Sequence, residues 1–121
     1  MSEKRIVYVQ TSGVDTPERT YAPFILAITA VAMGIDATIY FMMKGCTIIK
    51  QGEAEKIKLS GMPSLKEVIN KAVKCGVKLK ICEQSCMLLG LKKEDFIASA
   101  KIAGAATLND HILDADAVLC F

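Results

Sequence analysis

The sequence predicts an α/β protein built on a mainly parallel sheet. Three observations carry that reading. Short β-branched runs recur along the chain, helix-like stretches with start and stop signals separate them, and the 121 residues suffice for one such domain (1–121) but not for two. Strands alternating with helices in this way read as βαβ units.

Arg5-Ile6-Val7-Tyr8-Val9-Gln10 is the first strand-like run. Thr11 to Thr16 is a turn-rich loop. It carries neither G-x-G-x-x-G nor G-x-x-x-x-G-K-[ST], so neither standard phosphate cradle is present. Thr16 before Pro17 forms an N-cap and first-turn pair, which predicts a helix from there to about Met33, stopped by Gly34. Its second half, Phe24-Ile25-Leu26-Ala27-Ile28, is apolar nearly all round, the pattern of a helix buried on more than one face. Packing on the sheet and, in an oligomer, on a neighbouring subunit is expected.

Asp36 to Met42 reads as the second strand, while residues 44–52 fit either an extra helical turn or a strand. Glu53 to Met62 is a charged excursion that closes at Pro63. Ser64 with Glu67 three residues on is a capping box opening a helix through about Cys75, and Gly76 ends it. Val77-Lys78-Leu79-Lys80-Ile81 alternates as a third strand, and Glu83 to Leu89 reads as a helix. After a turn at Gly90, Lys92 to Ser99 predicts another helical stretch and Lys101 to Gly104 a short fourth strand. Thr107 and Asp110 are placed to cap a last helix before the terminal strand, Ala117 to Phe121. Strands covered on both faces are normally apolar throughout. The third departs from that, with Lys78, Lys80 and Cys82 on one face. Either that face is partly open, or the lysine stems lie on apolar surface with their heads in water.

The formal net charge of +2 is too near neutral to imply a nucleic-acid partner, and only two of the fifteen cations, Arg5 and Arg19, are arginine. The longest apolar run, Pro23 to Gly34, is too short to span a bilayer, so no membrane partner is expected. Five cysteines, an odd and widely spaced set, argue against a secreted disulfide framework. The N-terminus leads straight into a strand with no signal peptide, so a reducing, cytoplasmic location is expected.

Cys82 is the residue of greatest interest. It lies where the third strand ends and a helix begins. In open α/β sheets chemistry gathers at the carboxyl ends of strands, and first-turn N–H groups of a helix favour an anion such as a thiolate. The neighbouring Glu83 works against ionisation, and Lys44 or Lys80 would offset it if near. Cys86 lies one turn on and is either a resolving thiol or a core residue; the C-x-x-x-C spacing is one longer than the thioredoxin type. Cys46 follows the second strand, in a loop placed to overhang Cys82. Cys75 and Cys120 read as structural. A zinc site would need Cys46, Cys82, Cys86 and His111 to converge, which their spacing does not imply, so no metal and no cofactor is expected. His111, the one histidine, reads as a solvated position in the last helix.

Gly61-Met62-Pro63-Ser64-Leu65-Lys66-Glu67, the strand end Lys80-Ile81-Cys82, the turn Gln84-Ser85-Cys86-Met87-Leu88-Leu89-Gly90-Leu91 and Ile102-Ala103-Gly104-Ala105-Ala106-Thr107 together resemble the DsrE/DsrF-like family over nearly the whole chain. The resemblance implies a three-layer α/β/α fold with a five-stranded, mainly parallel sheet. It implies homo-oligomers, commonly trimers or hexamers, packed through apolar helices. Members with an active cysteine carry sulfur as a persulfide or thiosulfonate between protein or small-molecule donors and acceptors, and that cysteine maps to Cys82. No family role transfers to Cys86.

Three functions follow as expectations. The first is a sulfur carrier or sulfurtransferase acting through the Cys82 thiolate, with backbone N–H groups of residues 83 to 85 and the Ser85 hydroxyl as donors. The second is a non-catalytic oligomeric subunit or binding module. The third is a dithiol redox protein using Cys82 and Cys86.

Overall fold

The structure, a computed structural model, describes residues 3–121. Five strands form one sheet in the order β4-β3-β2-β1-β5. They are β1 (Arg5–Gln10), β2 (Asp36–Phe41), β3 (Lys78–Cys82), β4 (Ala100–Ala103) and β5 (Ala117–Cys120). Every pairing is parallel. The helices are α1 (Ala22–Ala32), α2 (Leu65–Cys75), α3 (Glu83–Leu89) and α4 (Ala105–Asp114). The three-layer α/β/α architecture is the one the resemblance implies.

Side chains alternate across the strands, and the two faces bury different clusters. Tyr8, Ile39, Phe41, Leu79 and Ile81 join Phe24 and Ala27 of α1 and Leu65 and Ile69 of α2 in the large core. Phe24 and Phe41 meet as a tilted ring pair with centroids 5.8 Å apart. On the opposite face Val7, Val9 and Tyr40 form a small cluster with Leu108 of α4. The chain must cross from β4 at one edge to β5 beyond β1 at the other. A ten-residue helix is about 15 Å long, so α4 covers only part of the face it crosses. Lys78 and Lys101 stay exposed there and Lys80 half-buried. The alternating pattern of the third strand therefore marks an open face.

The local chemistry explains most boundaries. The Ser64 hydroxyl accepts a hydrogen bond from the Glu67 N–H at 3.3 Å, and Gly76 closes α2 at φ 107°, a conformation that favours glycine. Three expectations need correction. The helix expected from Pro17 begins as a 3-10 turn, Pro17–Arg19, and α1 restarts at Ala22. Pro23 is the cause: its ring excludes a helical carbonyl four residues back and it has no N–H to give it. The Arg19 carbonyl instead accepts from the Gln10 side-chain amide at 3.2 Å.

Residues 92–99 form only a 3-10 turn, Lys93–Asp95. Phe96 is buried and bridges Lys50, while the Ile97 N–H donates to the Ile49 carbonyl at 3.0 Å. These tertiary bonds take the groups a helix would need. Thr107 and Asp110 lie inside α4, whose N-cap is Gly104 with no side-chain cap. The ambiguous segment after β2 resolves as a 3-10 helix, Met43–Ile49. Its Gly45 runs so close to the end of β1 that a Cβ would strike the Gln10 carbonyl oxygen.

Candidate functional site

Cys82 is the last residue of β3 and the N-cap of α3, with extended backbone at φ −68°, ψ 118°. Its side chain falls on the open face, in register with Ala103 of β4. The residue is 8% exposed. Its Sγ lies 3.8 Å from the Gln84 Oε1, with the thiol donating. It lines a pocket of about 290 Å³ beneath the first turn of α4, together with Tyr40, Met42, Ala103, Gly104 and Leu108. The surface this pocket presents is almost wholly hydrocarbon. A nucleophilic atom in the wall of a small apolar pocket is what chemistry on a compact, weakly solvated group requires.

Ser85 is buried, and its Oγ accepts a hydrogen bond from the Met43 N–H at 2.7 Å. Met43 is a positive-φ residue, at 52°, and not a glycine. That conformation is uncommon for a side chain of this type. The Ser85 bond holds it, fixing the segment after β2 against the first turn of α3. In this geometry Ser85 positions the loop, and its oxygen faces Met43 as an acceptor.

Cys46 does lie beside the site, but sealed beneath it. It is 0% exposed, and its Sγ donates to the Phe41 carbonyl at 3.3 Å. Burial first, then the neighbouring Cys86 and Cys82 sulfurs, push its pKa up to about 12. At neutral pH it is a thiol and a poor nucleophile. Cys86 is buried in the large core cluster with Phe41 and Ile81. Its pKa is also raised, by burial first, then by Cys82, and less by Glu83. All five cysteines are unpaired, and Cys75 and Cys120 are exposed.

His111 is half-buried, and its ring meets Tyr40 edge-on at 5.6 Å. It lines a second, smaller pocket with Arg5, Asp36 and Lys78 toward the amino ends of the strands, while Cys82 stands at the carboxyl ends. Among the described residues no group of His, Cys, Asp and Glu is arranged to hold a metal ion, and no helix is long and apolar enough to cross a membrane. Lys44 is paired to Asp15 at 3.1 Å.

Sequence reasoning missed Tyr40, Met42, Gln84 and Leu108. Gln84 had a signal, since a polar residue two positions into a helix can reach back to its N-cap. Tyr40 and Leu108 had none beyond strand and helix periodicity.

The chain is similar to several known proteins. It is 30% identical over 104 residues to an uncharacterized Methanocaldococcus jannaschii protein, MJ0760, covering 86% of this chain and 38% of that one. The chain thus spans well under half the length of that relative. It is 23% identical to the sulfur carrier protein DsrE2 of Allochromatium vinosum, covering 98% of this chain and 99% of that one. In fold it is similar to the crystal structure of the ychN protein from E. coli, with a TM-score of 0.79 at 19% identity, covering 99% and 100% of the two chains. The family model described as DsrE/DsrF-like matches residues 4–121, and the chain belongs to that family.

Proposed function

We propose that this chain is a sulfur carrier of a sulfur relay, holding sulfane sulfur on Cys82 as a persulfide and passing it to a partner thiol. The observation that carries the reading is the pocket: among the five cysteines only Cys82 lines it, at a strand end. Family membership and the likeness to a protein named a sulfur carrier support the same role.

The exchange needs no oxidant. The Cys82 thiolate attacks the outer sulfur of a donor persulfide, a new S–S bond forms, and the donor's own S–S bond breaks. The donor thiolate leaves with the electron pair. An acceptor thiolate then attacks the outer sulfur of Cys82–S–SH and regenerates the Cys82 thiolate. Both steps follow the rules of thiol–disulfide exchange. Cys82 is the group that acts, Gln84 is in contact with it, and Ser85 positions the loop. Cys46 and Cys86, buried and protonated, serve as packing.

The same reading makes the protein a homo-oligomer in a reducing, cytoplasmic setting. Ile25 and Leu26 of α1, Met33 just after it, and Leu113, Val118 and Leu119 near the β5 edge are exposed, and exposed apolar surface is common at subunit contacts.

The test is incubation with a persulfide donor, followed by desalting and intact mass. A gain of sulfur that is lost in Cys82→Ser and kept in Cys86→Ser is expected. Loss of two hydrogens abolished by either substitution would instead identify a Cys82–Cys86 dithiol switch. No adduct on Cys82 would leave a non-catalytic subunit.

A further inference from the structure

Resting on that reading, we infer that Cys82 carries a chain of several sulfane sulfur atoms, with the pocket under the first turn of α4 as its sheath.

Size, lining and charge support this independently. The pocket is about 290 Å³. A water molecule takes about 30 Å³, and one bound sulfur atom is of that order, so a simple persulfide leaves most of the space unfilled. The walls are almost wholly apolar and include Leu108, Ala103 and the polarizable thioether side chain of Met42. Neutral catenated sulfur is apolar and polarizable, and such walls suit it better than they suit a hydrated anion.

The charge outside is complementary. Lys80 and Lys101 stand side by side in register, each two residues before a pocket residue, Cys82 and Ala103, and on the same face. A polysulfide has an apolar interior and an anionic end, and here the interior enters the pocket while the end stays near the ammonium groups.

Loading is balanced without an added redox partner. The Cys82 thiolate attacks a sulfur within an inorganic polysulfide dianion. One Cys82–sulfur bond forms, one S–S bond of the dianion breaks, and a shorter polysulfide dianion departs with the electron pair. The enzyme-bound chain ends as a sulfide anion.

The experiment uses the full chain in a Cys75→Ser, Cys120→Ser background, which removes the exposed thiols. The protein is treated with inorganic polysulfide, desalted and read by intact mass, with sulfane sulfur counted by cyanolysis. A ladder of several sulfur atoms is expected, absent in Cys82→Ser. Ala103→Val, which fills the pocket, should shorten the ladder by at least one sulfur. Leu108→Ala, which enlarges it, should lengthen the ladder. A ladder that stops at one sulfur in the parent, or one unchanged in both pocket variants, overturns the inference and leaves the carrier reading intact. Absence of any Cys82 adduct overturns both.

Discussion

On one face of β3, Leu79 and Ile81 are sealed in the large cluster with Phe41, Leu65 and Ile69. On the other, Lys78, Lys80 and Cys82 look toward a helix that only partly covers them. The same five-residue strand serves both. Burial there supplies stability at roughly 25 cal/mol per Å² of apolar surface, whereas the open face gives up that gain and keeps a thiol reachable. The comparison teaches where to look: substitutions on the first face should move stability, and those on the second should move sulfur chemistry.

The largest effect expected is on the covered face. Phe41→Ala removes a fully buried ring that packs on Phe24 and should cost about 3–5 kcal/mol. Lys80→Ala, on the open face, should stay within about 0.5 kcal/mol. Urea denaturation of the two variants measures the contrast, and similar midpoints would dissolve it.

The next effect tests what lies beneath the site. Cys46 keeps its proton up to about pH 12 in the folded chain, against 9.0 for a free thiol. A raised folded pKa contributes stability that is whole below pH 9 and is lost as pH rises toward 12, because the unfolded chain sheds the proton first. At about 1.36 kcal/mol per unit, the loss approaches 4 kcal/mol. Cys46→Ala should therefore flatten the alkaline limb of a stability-versus-pH curve between pH 9 and 12. An unchanged limb would show that this thiol is not sealed.

Ser85→Ala comes third. It leaves the Met43 N–H without its 2.7 Å partner and frees a residue held at φ 52°. A loss of about 1–3 kcal/mol is expected, together with faster alkylation of Cys82 as the loop loosens. Mass-resolved iodoacetamide labelling and thermal melts would separate the two consequences. Stability unchanged to within error would remove Ser85 from its positioning role.

These cases also show what the chain discloses before it folds. The sheet was legible because short apolar runs such as Ile6-Val7-Tyr8-Val9 and Thr38-Ile39-Tyr40-Phe41 alternate with helix-like stretches, and α2 because Ser64 and Gly76 sit at its ends. Cys82 was legible because an alternating run meets a helical one at that residue. The start of α1 was misread because Thr16-Pro17 is a sound cap signal overridden by Pro23 and by a carbonyl bond to Gln10. Residues 92–99 were misread because Phe96 and Ile97 pair with the segment after β2 instead of with themselves. The pocket was out of reach altogether. Tyr40 and Leu108 are far apart in sequence, and only the diagonal crossing of α4 brings them to the same space as Cys82. Depth was equally hidden: by sequence Cys46 follows one strand and Cys82 ends the next, yet the first is sealed and the second lines a pocket.

The smallest effect on stability carries the most information about approach. Lys80 and Lys101 are register partners on neighbouring parallel strands, and neither forms an ion pair among the described residues. Like charges held side by side cost a few tenths of a kcal/mol, and an opposite-charge pair gains a similar amount. Lys101→Glu should therefore leave the fold unharmed or raise stability by about 0.5 kcal/mol. It should also slow the loading of Cys82 by an anionic polysulfide, since field-guided encounter depends on the charge lining the approach. Added salt should narrow the gap between variant and parent, because exposed charges are screened over about 8–10 Å at ordinary ionic strength. A neutral alkylating agent should show no such gap. If the polysulfide and the neutral agent slow equally, the lysine pair acts by shaping the pocket mouth and not by drawing in charge, and the division of labour between the two faces of β3 would have to be redrawn around sterics.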